Sequence, residues 1–111
     1  MNATVENAAI RDNVLSLVHE RLKAQYGNRL KGAVLFGSRA RGENRPDSDY
    51  DIAVILAGYD YGISEVFRLA DLSWDIQKET GAIVSFKPLP PQEQWSDTPF
   101  SRSIARDGVA L

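Results

Sequence analysis

The sequence contains no cysteine, a single histidine and a single methionine among its 111 residues. Without cysteine, disulfide bonds, thiolate zinc sites and cysteine nucleophiles are all excluded. Proteins of the reducing cytoplasm seldom need cysteine for stability, so a cytoplasmic location is our expectation.

A basic surplus and a long apolar run are also missing. Lysine and arginine number 13 against 15 aspartates and glutamates, which argues against general nucleic-acid binding. No stretch of about eighteen apolar residues occurs, and the N-terminus lacks a signal-peptide pattern, so we expect no membrane segment and no export. With 43% hydrophobic and 25% charged residues, the chain is predicted to form one globular domain over residues 1–111.

The N-terminal quarter predicts an amphipathic helix. Apolar residues recur at helical spacing from about Val5 to Tyr26, and Gly27 suits a C-terminal cap. The apolar stripe of this helix consists of Ile10, Val14, Leu17, Val18 and Leu22.

Three apolar runs predict strands. The first covers about Gly32–Phe36, the second is "DIAVILAG", and the third is "IVSFKPL", which we expect Pro88 to keep short. A last helix is predicted over about Pro99–Asp107, because Thr98 is a good N-cap and Gly108 a good C-cap. The element order predicts an α/β (α+β) domain with a small mixed sheet of three to four strands packed by helices.

The helix predicted between Ile63 and Thr80, which Gly81 ends, is apolar on two sides. We expect one stripe to face the core: Ile63, Val66, Phe67, Ala70 and Trp74. A second stripe, comprising Leu69, Leu72 and Ile76, is either buried under the C-terminal segment or docked against another chain.

The segment "GSRARGENRPDSDYD", residues 37–51, places dense charge between two predicted strands. Asp49 and Asp51 stand two apart at the start of the second strand, so their side chains should project from the same face about 6 to 7 Å apart. Two converging carboxylates suit Mg²⁺, whose remaining positions are usually filled by water and substrate phosphates. The alternative without a metal is a solvated turn with a capping aspartate.

The residues before this pair suggest a phosphate site. Gly37 permits close backbone approach, and the hydroxyl of Ser38 with free N–H groups at the start of a short helical turn can bind phosphate. Arg39 and Arg41 either add charge-assisted contacts to the same phosphates or lie on the solvated surface. Ser48 is expected to bond local backbone.

These residues resemble a known family. Gly37-Ser38, ten intervening residues and Asp49-Tyr50-Asp51 resemble the signature of the DNA polymerase β-like nucleotidyltransferases, in particular their minimal nucleotidyltransferase subgroup. The resemblance is densest over residues 31–56. It implies the polymerase β-like fold, catalytic and metal-binding roles for Asp49 and Asp51, Mg²⁺ as cofactor, and ATP or another nucleoside triphosphate as substrate. Gly37, Ser38, Arg39 and Arg41 would bind the nucleotide.

The sequence departs from the family pattern at one place. Active members commonly carry a third carboxylate on the next strand, but "GAIVSFKPL" contains no acid, and Ser85 aligns there. Serine is a poor Mg²⁺ ligand and a poor base at neutral pH. Four other acids lie in a predicted loop and helix that give no reason to expect a replacement: Asp60, Asp71, Asp75 and Glu79.

The resemblance also implies a partner. Small proteins similar to this one are typically encoded beside a helical RNase toxin of the HEPN class and act as its antitoxin, some by transferring AMP to a toxin tyrosine in type VII-like pairs. The resemblance therefore implies a protein adenylyltransferase. The alternative is a catalytically weak module of the same fold that neutralises the toxin by binding it, with homo- or hetero-oligomers possible in either case.

Overall fold

The computed structural model describes residues 12–111. Helices and strands alternate in this part of the chain, joined by two short 3₁₀ turns at Gly27–Arg29 and Gln92–Gln94. The elements are α1 (Asn13–Tyr26), β1 (Leu30–Phe36), α2 (Gly37–Ala40), β2 (Tyr50–Leu56), α3 (Ile63–Thr80), β3 (Val84–Leu89), α4 (Pro99–Asp107) and β4 (Val109–Ala110). None of the helices described here has the length and apolar character that crossing a membrane requires.

The four strands form one mixed sheet in the order β3-β2-β1-β4, which confirms the predicted α+β class. β1 pairs antiparallel with both β2 and β4, while β2 and β3 run parallel. Alternation along the strands turns one face toward the helical core, where the buried residues include Leu35, Ile52, Val54, Leu56 and Val84.

Asp12 begins α1. Its Oδ1 accepts hydrogen bonds from the backbone N–H groups of Val14 at 2.8 Å and Leu15 at 3.3 Å, which is the normal way to satisfy the first free donors of a helix. The predicted start near Val5, together with Ile10, lies outside the described residues. The buried face consists of Leu15, Val18, Leu22 and Tyr26.

The predicted core face of α3 is wrong. The residues of the expected stripe are exposed, Ile63 at 67%, Phe67 at 61% and Trp74 at 57%. Leu69, Leu72 and Ile76, for which the sequence allows either burial or docking, are the residues that pack into the core. Helical periodicity identified both stripes, but either would satisfy an amphipathic helix, and only the packing against the sheet decides between them.

The C-terminal elements agree with the sequence in most respects. α4 has the predicted bounds, with a reciprocal capping box between Thr98 and Ser101. β3 is a short strand of six residues that lies within the predicted run "IVSFKPL" and ends at Leu89, one residue after Pro88. β3 is an edge strand, where the missing N–H of proline is tolerated. β4 was not predicted as a separate element, since two residues give no periodicity to read.

A buried carboxylate ties α3 to the neighbouring elements. Glu65 Oε1 accepts a hydrogen bond from Arg29 Nη1 at 2.9 Å, and Arg29 Nε donates to the Ala57 carbonyl at 3.2 Å. Glu65 Oε2 and the nearby Tyr26 hydroxyl are buried without a hydrogen bond of standard geometry. Burial alone would raise the pKa of Glu65, but Arg29 and Tyr26 outweigh it and hold that pKa below its usual value.

We predict that Glu65→Gln destabilises the protein by about 1 to 2 kcal/mol at pH 7, a value discounted because Arg29 is partly exposed. Because the pKa is lowered in the folded state, the carboxylate stabilises the protein above its unfolded pKa, and this contribution is lost as pH falls through the folded value. The thermal melts of wild type and variant should therefore differ at pH 7 and converge as pH falls below about 4.

The matched control is Glu79→Gln. Glu79 accepts two hydrogen bonds from Arg21, at 2.8 and 3.1 Å, but this pair is exposed, so its loss should change stability by less than about 1 kcal/mol. Equal losses from both substitutions at pH 7 would contradict the assigned role of Glu65.

Candidate functional site

The antiparallel register of β1 and β2 places the end of one strand beside the start of the other. Phe36, the last residue of β1, is opposite Asp51. The chain therefore enters α2 at Gly37 directly against the Asp51 side chain. Gly37 has φ +76°, and a Cβ built on it would overlap Asp51 Oδ2 and lie 3.1 Å from Asp51 Cγ. Only glycine fits this position on both counts.

The two aspartates form a negatively charged site. Both lie at the start of β2, as the sequence predicted: Asp51 is half-buried within the strand, and Asp49 is exposed just before it begins. Desolvation raises the pKa of Asp51, the charge of Asp49 raises it further, and Arg41 opposes both. Neither carboxylate has a hydrogen-bond or ion-pair partner among residues 12–111. Such a pair is electrostatically suited to a hard cation.

Ser38 lies in α2, and Arg41 follows directly as its C-cap. α2 is the short helical turn that the sequence indicated, and the Ser38 carbonyl accepts from the Glu43 N–H at 2.9 Å. Within the described residues the Ser38 hydroxyl has no hydrogen-bond partner. Arg41 Nε bonds Glu43 Oε1 at 2.8 Å on the surface. The phosphate-binding roles of these residues stay predictions.

Arg39 is directed into the loop that leads to β2. Its Nε donates to the Ser48 carbonyl at 3.1 Å and its Nη2 to the Pro46 carbonyl at 3.2 Å. The guanidinium stacks 3.9 Å from the centre of the Tyr50 ring. The expected local bond of Ser48 is present as well, because Ser48 Oγ accepts from the Arg45 N–H at 2.8 Å. In this structure Arg39 therefore orders the loop before the aspartates.

Tyr50 and Asp12 were missed as supporting residues. Tyr50 lies between the two aspartates in sequence but faces the core, and its hydroxyl donates to Asp12 Oδ2 at 2.8 Å. Burial, followed by the effect of Asp12, raises the pKa of Tyr50 to about 12, so it stays a neutral donor. Two sequence signals could have identified this pair: strand alternation, which turns Tyr50 away from the aspartates, and the preference for aspartate at helix N-caps.

The position across from Asp51 on β3 is Ser85, as the sequence predicted. Residues 12–111 contain no group of three or more histidine, cysteine, aspartate or glutamate side chains placed to hold a metal ion. The other acids considered from the sequence therefore do not complete the pair: Asp60, Asp71, Asp75 and Glu79. The site consists of two carboxylates, with an exposed serine where a third would stand.

We predict that Gly37→Ala lowers stability and displaces Asp51. Gly42→Ala is the matched control, because Gly42 has φ +72° but no atom within 4 Å of the position that a Cβ would take. Backbone strain should cost each variant about 1 kcal/mol, so the additional loss in Gly37→Ala measures the contact with Asp51. Thermal melts and Mg²⁺ titration compare the two, and equal losses of both stability and Mg²⁺ binding would argue against the contact.

We further predict that Asp51→Asn stabilises the metal-free protein at pH 7 by up to about 1 kcal/mol, a few degrees in Tm. A carboxyl with a raised pKa penalises the folded state above that pKa and not below its unfolded value, so the gain should vanish near pH 3. Melts in EDTA measure it, with the exposed Asp47→Asn as control. A lower Tm than wild type at pH 7 would contradict the prediction.

The family model described as Nucleotidyltransferase domain matches residues 15–110. None of the curated proteins compared matches significantly.

Several solved structures share the fold. A toxin–antitoxin crystal structure with AMP-PNP superposes with a TM-score of 0.58 at 21% identity, covering 88% of this chain and 71% of that chain. A mutant of the toxin–antitoxin MntA–HpeT gives 0.61 at 20% identity with the same coverage. A protein assigned as a minimal nucleotidyltransferase gives 0.53 at 22%, covering 91% of this chain and 98% of that one. The family match spans nearly the whole described chain, and the fold agrees with it, so the chain belongs to the nucleotidyltransferase domain family.

Proposed function

We propose that this protein is a Mg²⁺-dependent nucleotidyltransferase that transfers AMP from ATP to a tyrosine hydroxyl of a partner HEPN toxin and so acts as its antitoxin. The observation that carries the proposal is the register of β1 and β2, which sets Gly37 and Ser38 directly against Asp51. Under this proposal, phosphate binding and metal binding would take place at one point. Residues 1–111 would act as one minimal nucleotidyltransferase domain in the ATP-rich cytoplasm.

The donor set fits a magnesium ion held on its substrate. Asp49 and Asp51 supply hard oxygen ligands that no residue of 12–111 hydrogen-bonds or ion-pairs, and Mg²⁺ is usually held by one or two carboxylates together with substrate phosphates. When bound, the ion neutralises phosphate charge that develops during transfer. The residues therefore fit a nucleotide-side ion, whereas Ser85 offers little to a second one.

The chain's own residues bind and orient the nucleotide. The Ser38 hydroxyl and the backbone of the α2 turn would bind the β- and γ-phosphates, and Arg41 would exchange its bond with Glu43 for phosphate. Arg39 would hold the loop through its two carbonyl contacts and its stack on Tyr50. In the reaction a bond forms between the tyrosine oxygen and the α-phosphorus, and pyrophosphate leaves.

The phenolic proton would pass to solvent water, since β3 has no carboxylate to accept it. Among hydroxyl groups that could receive AMP, that of tyrosine needs the weakest base to remove its proton, because a phenol is far more acidic than an aliphatic hydroxyl. The similarity to two toxin–antitoxin structures supports a toxin as the source of that tyrosine.

The same serine favours a second candidate function. With Ser85 opposite Asp51, the domain would hold a nucleotide weakly or not at all and neutralise its partner by covering it. In this case the aspartates would be dispensable for neutralisation.

The experiment incubates the chain with ATP, Mg²⁺ and the protein encoded beside its gene, followed by intact-mass spectrometry of the partner. We predict a mass increase of one AMP on the partner, lost in Asp49→Ala and retained in Asp47→Ala. Asp47 is an exposed acid in the same loop, so it controls for the change in net charge.

The two functions give opposite results in a neutralisation assay. If the partner gains no AMP and Asp49→Ala still neutralises it, the enzymatic proposal fails and the binding function stands. If Asp49→Ala loses both the adduct and neutralisation while still binding the partner, the binding function fails.

A further inference from the structure

The part of β3 beside the aspartates is exposed and carries a lysine that the proposed reaction does not yet use. In the parallel register Ser85 pairs with Asp51 and Lys87 lies two residues further on, so both β3 side chains are on the sheet face of Asp51. We propose that Ser85 and Lys87 form the acceptor-binding surface, and that Lys87 binds a carboxylate of an acidic segment around the tyrosine that receives AMP. This inference rests on the proposed function and names the class of acceptor.

The sheet order assigns the two sides of Asp51 to different parts of the reaction. β2 lies between β1 and β3, so Asp51 has Gly37 on one side and Ser85 on the other. In an in-line displacement the attacking and leaving oxygens lie on opposite sides of the phosphorus. With the β- and γ-phosphates bound at α2, pyrophosphate leaves on the β1 side, and the acceptor oxygen therefore enters on the β3 side.

Lys87 gives this side of the site a positive charge. Among the strand residues that the registers pair, only Asp51 and Lys87 are charged, and both lie on the same face. Lys87 has no ion-pair partner among residues 12–111. A carboxylate on β3 would repel an acidic acceptor, whereas a neutral serine followed two residues later by a lysine attracts one. The serine that offers little to a second metal ion therefore also admits this class of acceptor.

The ring of Phe100, on α4, holds the ammonium group of Lys87. Lys87 Nζ lies 5.8 Å from the centre of that ring, within the range of a cation–π contact. Phe100 in turn packs edge-on against Phe36 at 5.4 Å between ring centres, and Phe36 pairs with Asp51. The Lys87 side chain is therefore directed over the sheet face toward α4. A contact with a ring face leaves the three N–H donors of the ammonium group available to a carboxylate.

The spacing along β3 determines where the acceptor's carboxylate binds. Residues two apart on a strand are separated by about 6 to 7 Å, so Lys87 is that far from Ser85, the residue opposite Asp51. A protein segment whose tyrosine reaches the α-phosphate can therefore place a nearby carboxylate at Lys87. A nucleic acid would require several cations along its phosphates, and this face of the paired strands offers one.

The first test measures the binding of two heptapeptides that differ only in charge, Gly-Glu-Gly-Tyr-Gly-Glu-Gly and its analogue with lysine in place of both glutamates. Each peptide is titrated into the isotope-labelled full chain with Mg²⁺ and a non-hydrolysable ATP analogue, and amide shifts are followed by NMR. We expect the acidic peptide to bind at least about tenfold tighter, the effect of one charge-assisted hydrogen bond, with shifts centred on Ser85 and Lys87. Equal affinities would overturn the inference.

Variants identify the group that binds the acidic peptide. Lys87→Met keeps most of the side-chain length and removes the charge, so the preference should fall below about twofold, while Lys87→Arg should retain it. Lys23→Met removes an exposed lysine of α1 and is the matched control, which should bind as wild type. A lysine that only prevents an edge strand from pairing with another sheet would give an unchanged preference in Lys87→Met, and that result would also overturn the inference.

The transfer assay separates a failure of this inference from a failure of the proposed function. If wild type transfers no AMP to the partner, the proposed function fails, and the peptide titration still decides whether Lys87 binds a carboxylate. If AMP is transferred, Lys87→Met should raise the KM for the partner about tenfold and leave the KM for ATP within about twofold of wild type. A rise in the KM for ATP alone would assign Lys87 to the nucleotide and contradict its role in acceptor binding.

Discussion

The antiparallel pairing of β1 with β2 is the constraint on which the rest of the site depends. It sets Phe36 opposite Asp51, and because Gly37 follows Phe36 directly, the turn into α2 has no space for a side chain. The parallel pairing of β2 with β3 then fixes which residue can approach the aspartates, and that residue is Ser85. The register of β1 and β2 therefore brings Gly37 against Asp51, and the register of β2 and β3 places a serine where a third carboxylate would stand.

Sequence predicted the local features that a few neighbouring residues determine. α4 has its predicted bounds because Thr98 and Ser101 cap each other, and Ser85 aligned correctly because strand pairing follows the alternation of buried residues. Prediction from sequence failed where elements distant in the chain decide which residues are buried or bonded. α3 has two apolar stripes, and which one is buried is decided by the sheet beneath it. The two bonds of Arg39 to loop carbonyls were not predicted either, because they depend on the path of the loop, and its phosphate contact stays a prediction.

The protein carries two features that cost stability and that a purely structural domain would not keep. Asp51 is half-buried beside a second negative charge, and α3 exposes large apolar side chains to water. Compensation comes from contacts elsewhere, including the Arg29–Glu65 pair that ties α3 to the end of β2. Domains commonly retain locally unfavourable features at the places where they act.

The burial of Tyr50 also affects how the strands pair during folding. Its ring is buried and its hydroxyl is bonded to Asp12, while the acids on both sides of it must stay outside the core. If β2 slipped by one residue against β1, Tyr50 would move into water and a charged carboxylate would enter the core. The alternation that places the two aspartates at the site thus also selects the correct strand register during folding, because a misregistered sheet is too unstable to persist.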